Sequence, residues 1–129
     1  MHLLVRKLFL LCWSLIVSGV IGYFCLTESS NLPAVNVPNI DKIVHFCFHF
    51  GFTISWILFF KKELKGAEDA KAYLVSFVFS VLFGITIELM QGVYTTTRAC
   101  DVTDILANTL GALFAIFMAV VFKERLNKI

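Results

Sequence analysis

The chain has 129 residues, of which 59% are hydrophobic and 16% are charged. Soluble domains have about 45–50% apolar and about 25% charged residues, and a domain this small has too little interior to bury such an excess. The 14 phenylalanines and a mean hydropathy of +0.85 agree with this, and they argue against a soluble enzyme, a disordered protein or a nucleic-acid-binding module. The composition predicts an integral membrane protein.

Four apolar segments each approach the roughly 20 residues that cross a bilayer as an α-helix. They lie at about residues 8–26, 40–60, 72–93 and 104–122. Strands of a membrane barrel need only about 9–11 residues with alternating polarity, so these lengths predict helices. The first segment lacks the small residues of a signal-peptide cleavage site, and we expect it to stay uncleaved. We therefore predict an all-α bundle of four transmembrane helices that forms one domain over residues 1–129.

The distribution of lysine and arginine predicts the orientation, because these residues concentrate on the cytoplasmic side of a membrane. One side of the predicted bundle carries Arg6, Lys7, Lys61, Lys62, Lys65, Lys71, Lys123, Arg125 and Lys128. The other side carries only Lys42 and Arg98. We therefore expect both termini to face the cytoplasm.

The polar residues of the second, third and fourth helices gather toward the outer side of the predicted bundle. A charged group near the bilayer centre costs about 2.5–3.5 kcal/mol, so such groups call for a structural or functional reason. Within each helix their spacing of three or four residues places them on one face. The sequence thus predicts a polar pocket near the outer surface, formed by Asp41, His45, Glu88, Gln91, Arg98, Asp101, Asp104 and Asn108.

Several of these polar residues also have a purely structural interpretation. Asp101 precedes the fourth helix, where a carboxylate caps the helix and offsets its dipole. Lys42 is interpreted as a residue that extends its ammonium group to the membrane interface, and Asn108 as a hydrogen-bonding residue between helices. Glu88 needs a partner or a proton inside the membrane, and an ion pair with Arg98 is its best structural explanation.

Metal and cysteine chemistry receive little support from the spacing. His45 and His49 are separated like two ligands on one helix, with Glu88 as a third candidate, but the glutamate of the H-E-x-x-H motif is absent. We do not expect a metal site, although metal dependence stays open, and the cofactor is unknown. The cysteines lack C-x-x-C spacing, and free thiols are expected at Cys12, Cys25, Cys47 and Cys100.

The polar residues form strings that resemble the VanZ-like family of small bacterial membrane proteins. These strings are Asp41-Lys42-x-x-His45, Glu88-x-x-Gln91 and Arg98-x-x-Asp101-x-x-Asp104-x-x-x-Asn108-x-x-Gly111. The chain departs from the family at His49, where tyrosine is more frequent, so the role of His49 stays open. The resemblance implies a multi-pass protein of the bacterial cytoplasmic membrane with a role in the cell envelope, linked to glycopeptide resistance and to chemistry on lipid headgroups or lipid-linked sugars.

The first functional hypothesis is an enzyme that acts on a phosphate-containing lipid headgroup. Arg98 would bind the phosphate, and His45 would act as nucleophile or general acid–base. Asp41 would orient the imidazole, and Glu88 would be a second acid–base. The substrate-binding set would be completed by Gln91, Asp101, Asp104 and Asn108, with Asp101 and Asp104 orienting Arg98 or binding a divalent cation.

Two other hypotheses need the same membrane bundle. A non-catalytic protein could bind an envelope lipid or a glycopeptide and alter antibiotic resistance, in which case His45→Gln would leave its function intact. A small proton-coupled exporter ranks last, because such transporters need an ionisable group along the substrate path and the first span has none. The oligomeric state stays open.

Overall fold

The computed structural model describes residues 1–64 and 68–129, and within these ranges it contains helices and no strand. In chain order the elements are α1 (His2–Leu26), a short 3₁₀ helix (Ser29–Asn31), α2 (Ile40–Glu63), α3 (Asp69–Tyr94), α4 (Val102–Val121) and α5 (Lys123–Leu126). Helices α1 to α4 are each long and apolar enough to cross a membrane. The predicted all-α bundle of four membrane-spanning helices is therefore confirmed.

The helices extend a few residues beyond the predicted apolar segments. Helix α1 begins at His2 rather than near residue 8, and α2 continues to Glu63 rather than ending near residue 60. Hydropathy locates only the apolar part of a helix, whereas its ends depend on caps and polar turns. Helix α4 begins at Val102 because the Asp101 side chain accepts a hydrogen bond from the Thr103 N–H at 2.8 Å.

Small residues allow α4 to pack closely against α2. A β-carbon added at Gly111 would lie 2.2 Å from the backbone oxygen of Phe46, so only glycine fits there. Ala115, one turn further along the same face, is fully buried. These small residues of α4 therefore serve packing within the bundle, and the close approach brings the polar starts of α2 and α4 together.

The half of the bundle behind the polar residues is filled mainly by aromatic side chains. Phe52 is fully buried and its ring stacks on Phe83 with 4.5 Å between centroids. Trp56 packs beside it and donates its indole N–H to Ser18 at 3.3 Å, which connects α2 to α1. The four cysteines are free thiols, as expected.

Ion pairs place both termini at one end of the bundle. Lys7 of α1 pairs with Glu63 at the end of α2 at 3.0 Å, and Lys123 pairs with Asp69 at the start of α3 at 3.1 Å. Lys65, one of the basic residues used for the orientation, lies outside the described residues. The polar pocket lies at the opposite end, and which end faces the cytoplasm stays a prediction.

Candidate functional site

His45 occupies the centre of the polar site and is buried, with 3% of its surface exposed. Its ring Nδ1 lies 3.0 Å from Asn108 Oδ1 and 3.5 Å from Glu88 Oε1. Its Nε2 lies 3.7 Å from Asp104 Oδ2. Because the Asn108 oxygen can only accept a hydrogen bond, Nδ1 is the donor of this pair, and Nε2 points toward Asp104.

A glycine on α3 permits this arrangement. A β-carbon added at Gly84 would lie 3.0 Å from Asn108 Nδ2 and 3.0 Å from His49 Cε1. Helices α2, α3 and α4 therefore meet closely one turn below His45. At His49 the chain departs from the tyrosine that is more frequent in the family. The His49 ring Nδ1 shares a hydrogen bond with Ser80 Oγ at 2.9 Å. Its Nδ1 is therefore satisfied inside the bundle.

Lys42 connects three carboxylates at the mouth of the site. Its Nζ lies 2.9 Å from Asp41 Oδ2, 2.9 Å from Asp104 Oδ1 and 3.4 Å from Asp101 Oδ2. The interpretation of Lys42 as an interface residue did not include these contacts, in which its ammonium group turns toward acidic residues of α2 and α4.

Asp41 does not orient the imidazole as predicted. Its carboxylate is exposed and pairs with Lys42, whereas the polar groups that reach the His45 ring come from Asn108, Glu88 and Asp104. Asp41 lies one turn from His45 along α2, but the side chains that lie across the helix interface are better placed to contact the ring.

Glu88 is fully buried behind His45. Its Oε2 accepts a hydrogen bond from the backbone N–H of Asp101 at 3.2 Å. Its Oε1 makes no hydrogen bond with any described residue. The ion pair with Arg98 that would have explained Glu88 structurally is not found among the described residues, where Glu88 Oε1 instead lies 3.5 Å from His45 Nδ1.

A cavity of about 840 Å³ opens above His45 between the ends of the helices and the loops that follow α1 and α3. Its polar lining includes Asp41, His45, Gln91, Arg98, Asp101 and Asp104. Glu88 and Asn108 do not line it, and both lie behind His45, which they contact. The sequence therefore identified one site, of which six predicted residues form the surface and two lie beneath it.

Arg98 and Gln91 differ in whether their polar atoms already have hydrogen-bond partners among the described residues. The Gln91 amide donates to the backbone oxygen of Cys25 at 2.6 Å, which ties α3 to the end of α1. Arg98 Nε is buried and has no hydrogen-bond partner in the described parts of the chain. Neither Asp101 nor Asp104 pairs with Arg98 there, because both carboxylates contact Lys42 instead.

Asp101 has a structural role beside its contact with Lys42. It caps α4 through the N–H and the hydroxyl of Thr103, at 2.8 and 2.7 Å. These bonds, the hydroxyl first, hold the pKa of Asp101 below its usual range because they favour the charged carboxylate. The predicted capping interpretation is confirmed.

Glu28 joins the two loops that border the cavity, a contact that the sequence did not predict. Its carboxylate accepts hydrogen bonds from the backbone N–H groups of Thr96 and Thr97 at 2.8 and 3.0 Å, and from both threonine hydroxyls. The Thr97 hydroxyl makes the largest contribution to a lowered pKa of Glu28. The Thr95-Thr96-Thr97 run in the sequence was the signal available for this contact.

One group of side chains could hold a metal ion. It consists of His45, Glu88 and Asp104. Each of them offers one ligand atom, and these three atoms lie within 4.8 Å of one another. This set differs from the one that the sequence suggested, because His49 turns toward Ser80 and its place is taken by Asp104.

Comparisons with known proteins agree with the polar strings of the sequence. The family model for VanZ/LLP1 matches residues 6–123. The chain is also similar to an uncharacterized protein of the fission yeast Schizosaccharomyces pombe, with 31% identity over 132 residues that cover 100% of this chain and 74% of the relative. No solved structure matches.

Proposed function

Because this chain belongs to the VanZ/LLP1 family, we propose that it binds a phosphate-containing lipid headgroup or a lipid-linked sugar in the cavity above His45 and processes it there. The observation that carries the proposal is the division of the cavity into a polar floor and an apolar wall. The relative in fission yeast is uncharacterized and adds no activity.

The cavity suits a molecule with a polar head and an acyl chain. Its volume of about 840 Å³ falls in the range of about 300–1,000 Å³ typical of ligand sites. The apolar wall is formed by Phe24, Leu32, Val35, Ile40, Val44 and Phe48. These residues belong to the end of α1, the following loop and the start of α2, so the wall and the polar floor meet near the membrane surface.

Arg98 is the residue best placed to bind the phosphate. Arg98 lines the cavity, and its buried Nε lacks a partner within the described residues. A guanidinium matches phosphate oxygens with two parallel hydrogen bonds. Lys42 is less available for this purpose because its ammonium group already contacts Asp41, Asp101 and Asp104.

His45 is the proposed catalytic residue, because it is the histidine on the cavity floor. Glu88 and Asn108 are proposed as positioning residues, since both contact the imidazole and neither lines the cavity. Glu88, for which the sequence predicted a direct acid–base role, is thus proposed to act through the His45 imidazole instead. The Asn108 bond fixes the ring so that Nε2 is free to exchange a proton.

We also propose that the cavity opens on the side away from the cytoplasm. The cavity lies at the end of the bundle that carries few basic residues, and basic residues mark the cytoplasmic side. This orientation would expose the site to headgroups of the outer leaflet. A location in the bacterial cytoplasmic membrane is a prediction from the resemblance to the VanZ-like family, whereas the similar protein of fission yeast is fungal.

The test compares the lipids of cells that express the wild-type chain with those of cells that express single variants. His45→Gln and Arg98→Gln should each abolish any change in phosphate-containing lipids that the wild type causes. His49→Gln is the matched control, because His49 bonds to Ser80 and does not line the cavity. Membrane levels of each variant are measured to confirm normal insertion.

A second measurement separates catalysis from binding. Lipids that remain bound to the purified protein are identified by mass spectrometry, where His45→Gln should retain them and Arg98→Gln should lose them. If His45→Gln still alters cellular lipids or glycopeptide susceptibility as the wild type does, the protein is a non-catalytic binder and the catalytic proposal is wrong.

A further inference from the structure

We propose that His45, Glu88 and Asp104 bind one divalent transition-metal ion, such as Zn²⁺ or Mn²⁺, at the floor of the cavity. The three residues come from α2, α3 and α4, and one ligand atom from each lies within 4.8 Å of the other two. Ligand atoms bound at about 2.0–2.2 Å to one ion are at most about 4.4 Å apart. Small side-chain rotations would therefore bring all three into contact with a common ion.

The first observation that favours a ligand is an oxygen atom with no partner. Glu88 is 0% exposed, yet its Oε1 makes no hydrogen bond with the described residues. A buried polar atom without a partner is unfavourable and calls for an explanation. Oε1 lies 3.5 Å from His45 Nδ1, whose hydrogen bond goes to Asn108, so a cation in the cluster would supply the missing interaction.

The second observation is that each of the three residues has its other polar atom held elsewhere. Asn108 holds His45 Nδ1 at 3.0 Å, and Lys42 holds Asp104 Oδ1 at 2.9 Å. The backbone N–H of Asp101 holds Glu88 Oε2 at 3.2 Å. Metal-binding residues are typically oriented in this way by hydrogen bonds to their second polar atom.

Charge balance provides a third argument. The site contains four carboxylates, from Asp41, Glu88, Asp101 and Asp104, and among the described residues the cationic side chains at it are Lys42 and Arg98. When all four carboxylates are charged they exceed these two cations by two, which would repel a phosphate group. A divalent cation would cancel this excess and allow an anionic headgroup to approach.

The ligand types select the class of ion. Carboxylate oxygens alone suit Mg²⁺ and Ca²⁺, whereas an imidazole nitrogen suits transition metals such as Zn²⁺. One imidazole with two carboxylates therefore favours Zn²⁺ or Mn²⁺ over the alkaline-earth ions. The cavity lies directly above, so further coordination positions would remain open to water or to a phosphate oxygen.

This inference deepens the proposed function, and its chemical consequence rests on that function. With a cation bound, His45 acts as a ligand rather than as a free proton carrier. The cation would then polarise the phosphate oxygens, and proton transfer would pass to a water molecule that it binds.

The experiment measures metal binding by the full chain purified in detergent and stripped with a chelator. Zn²⁺ is titrated by calorimetry and Mn²⁺ by its electron paramagnetic resonance signal, with Mg²⁺ as the comparison ion. We expect one Zn²⁺ or Mn²⁺ per chain, and affinity at least about tenfold lower in Glu88→Gln and Asp104→Asn. His49→Gln should bind like the wild type, which controls for general effects of changing a buried histidine.

The possible outcomes separate the two proposals. Stoichiometric binding that Glu88→Gln and Asp104→Asn weaken supports the metal site whether or not a lipid product is found. Binding that is absent, or that these variants leave unchanged, overturns the metal site. Lipid processing that survives complete metal removal would also contradict a catalytic role for the ion, while it would leave the proposed function standing with His45 as the proton carrier.

Discussion

His45 Nδ1 lies 3.0 Å from Asn108 Oδ1, so a side chain of α4 fixes the orientation of an imidazole carried by α2. Both residues are almost completely buried, at 3% and 1% exposure. Neither hydrogen-bonding group can turn to water instead. The orientation of the His45 ring therefore depends on the packing of the two helices.

Replacement of Asn108 by alanine should destabilise the bundle and misorient His45. The loss of the acceptor leaves the Nδ1–H group buried without a partner, which costs about 1–3 kcal/mol. The free energy of unfolding in mixed micelles measures this cost. Thr109→Ala is the matched control, because the Thr109 hydroxyl bonds only within α4, to the Ile105 oxygen at 2.9 Å. Equal stability of the two variants would contradict the role of Asn108.

Gly111→Ala should separate α2 from α4. The added β-carbon would lie 2.2 Å from the Phe46 backbone oxygen, which a side-chain rotation cannot relieve. Overpacking of this kind costs about 1–3 kcal/mol. Gly51→Ala is the control, since nothing lies within 4 Å of the added atom, and alanine should stabilise that helix by about 0.5–1 kcal/mol. Unfolding curves that rank the two variants in the opposite order would show that the α2–α4 packing is described incorrectly.

Protonation of Glu28 should release the loops that border the cavity. The hydrogen bonds from Thr97 and Thr96 place the folded-state pKa of Glu28 below the ordinary value of 4.5. Its stabilisation is therefore fully present above about pH 4.5 and is lost as the pH falls through the lower, folded-state pKa. Hydrogen exchange at the Thr96 and Thr97 amides measures the opening.

The variant Glu28→Gln isolates this contribution. At neutral pH it should exchange the Thr96 and Thr97 amides faster than the wild type, and the difference should vanish once Glu28 is protonated. Glu124→Gln, which changes an exposed carboxylate at the other end of the bundle, should exchange these amides at the wild-type rate. An exchange rate unaffected by Glu28→Gln would mean that the loops are held by other contacts.

The sequence predicted the helices and the location of the site because both depend on strong local signals. Four long apolar segments can be satisfied in a membrane only as helices. The polar residues at one end of three of them could be satisfied only by facing one another. His45, Asp104 and Arg98 were found in this way, and all three line the cavity.

The pairings within the site could not be predicted, because they depend on helix rotation and on close contacts. Lys42 was interpreted as an interface residue, although it belongs to the Asp41-Lys42-x-x-His45 string. Asp41 was assigned to the imidazole from its spacing of four residues, but the contact with His45 comes from Asn108 across the interface. The helices approach closely enough for this contact because Gly84 and Gly111 have no side chain. The need for glycine at these positions is apparent only once the three helices are placed together.

The predicted orientation can be tested with a thiol that the chain already contains. Cys100 is exposed in the loop before α4, at the end of the bundle that holds the cavity. A membrane-impermeant maleimide should therefore label the wild type in intact cells, and Cys100→Ser should abolish this labelling. Cys12 and Cys47 lie within the spans α1 and α2, where such a charged reagent does not reach, and Cys25, which lines the cavity at the end of α1, is buried.

The other end of the bundle provides the reciprocal measurement. Lys128→Cys in the Cys100→Ser background should react only after the cells are permeabilised, because the basic residues around it favour the cytoplasmic side. Labelling of Lys128→Cys in intact cells, together with no labelling of Cys100 in the wild type, would show that the cavity opens toward the cytoplasm. The headgroups within its reach would then be those of the inner leaflet, and the Arg98 and His45 variants would have to be tested against cytoplasmic lipid precursors.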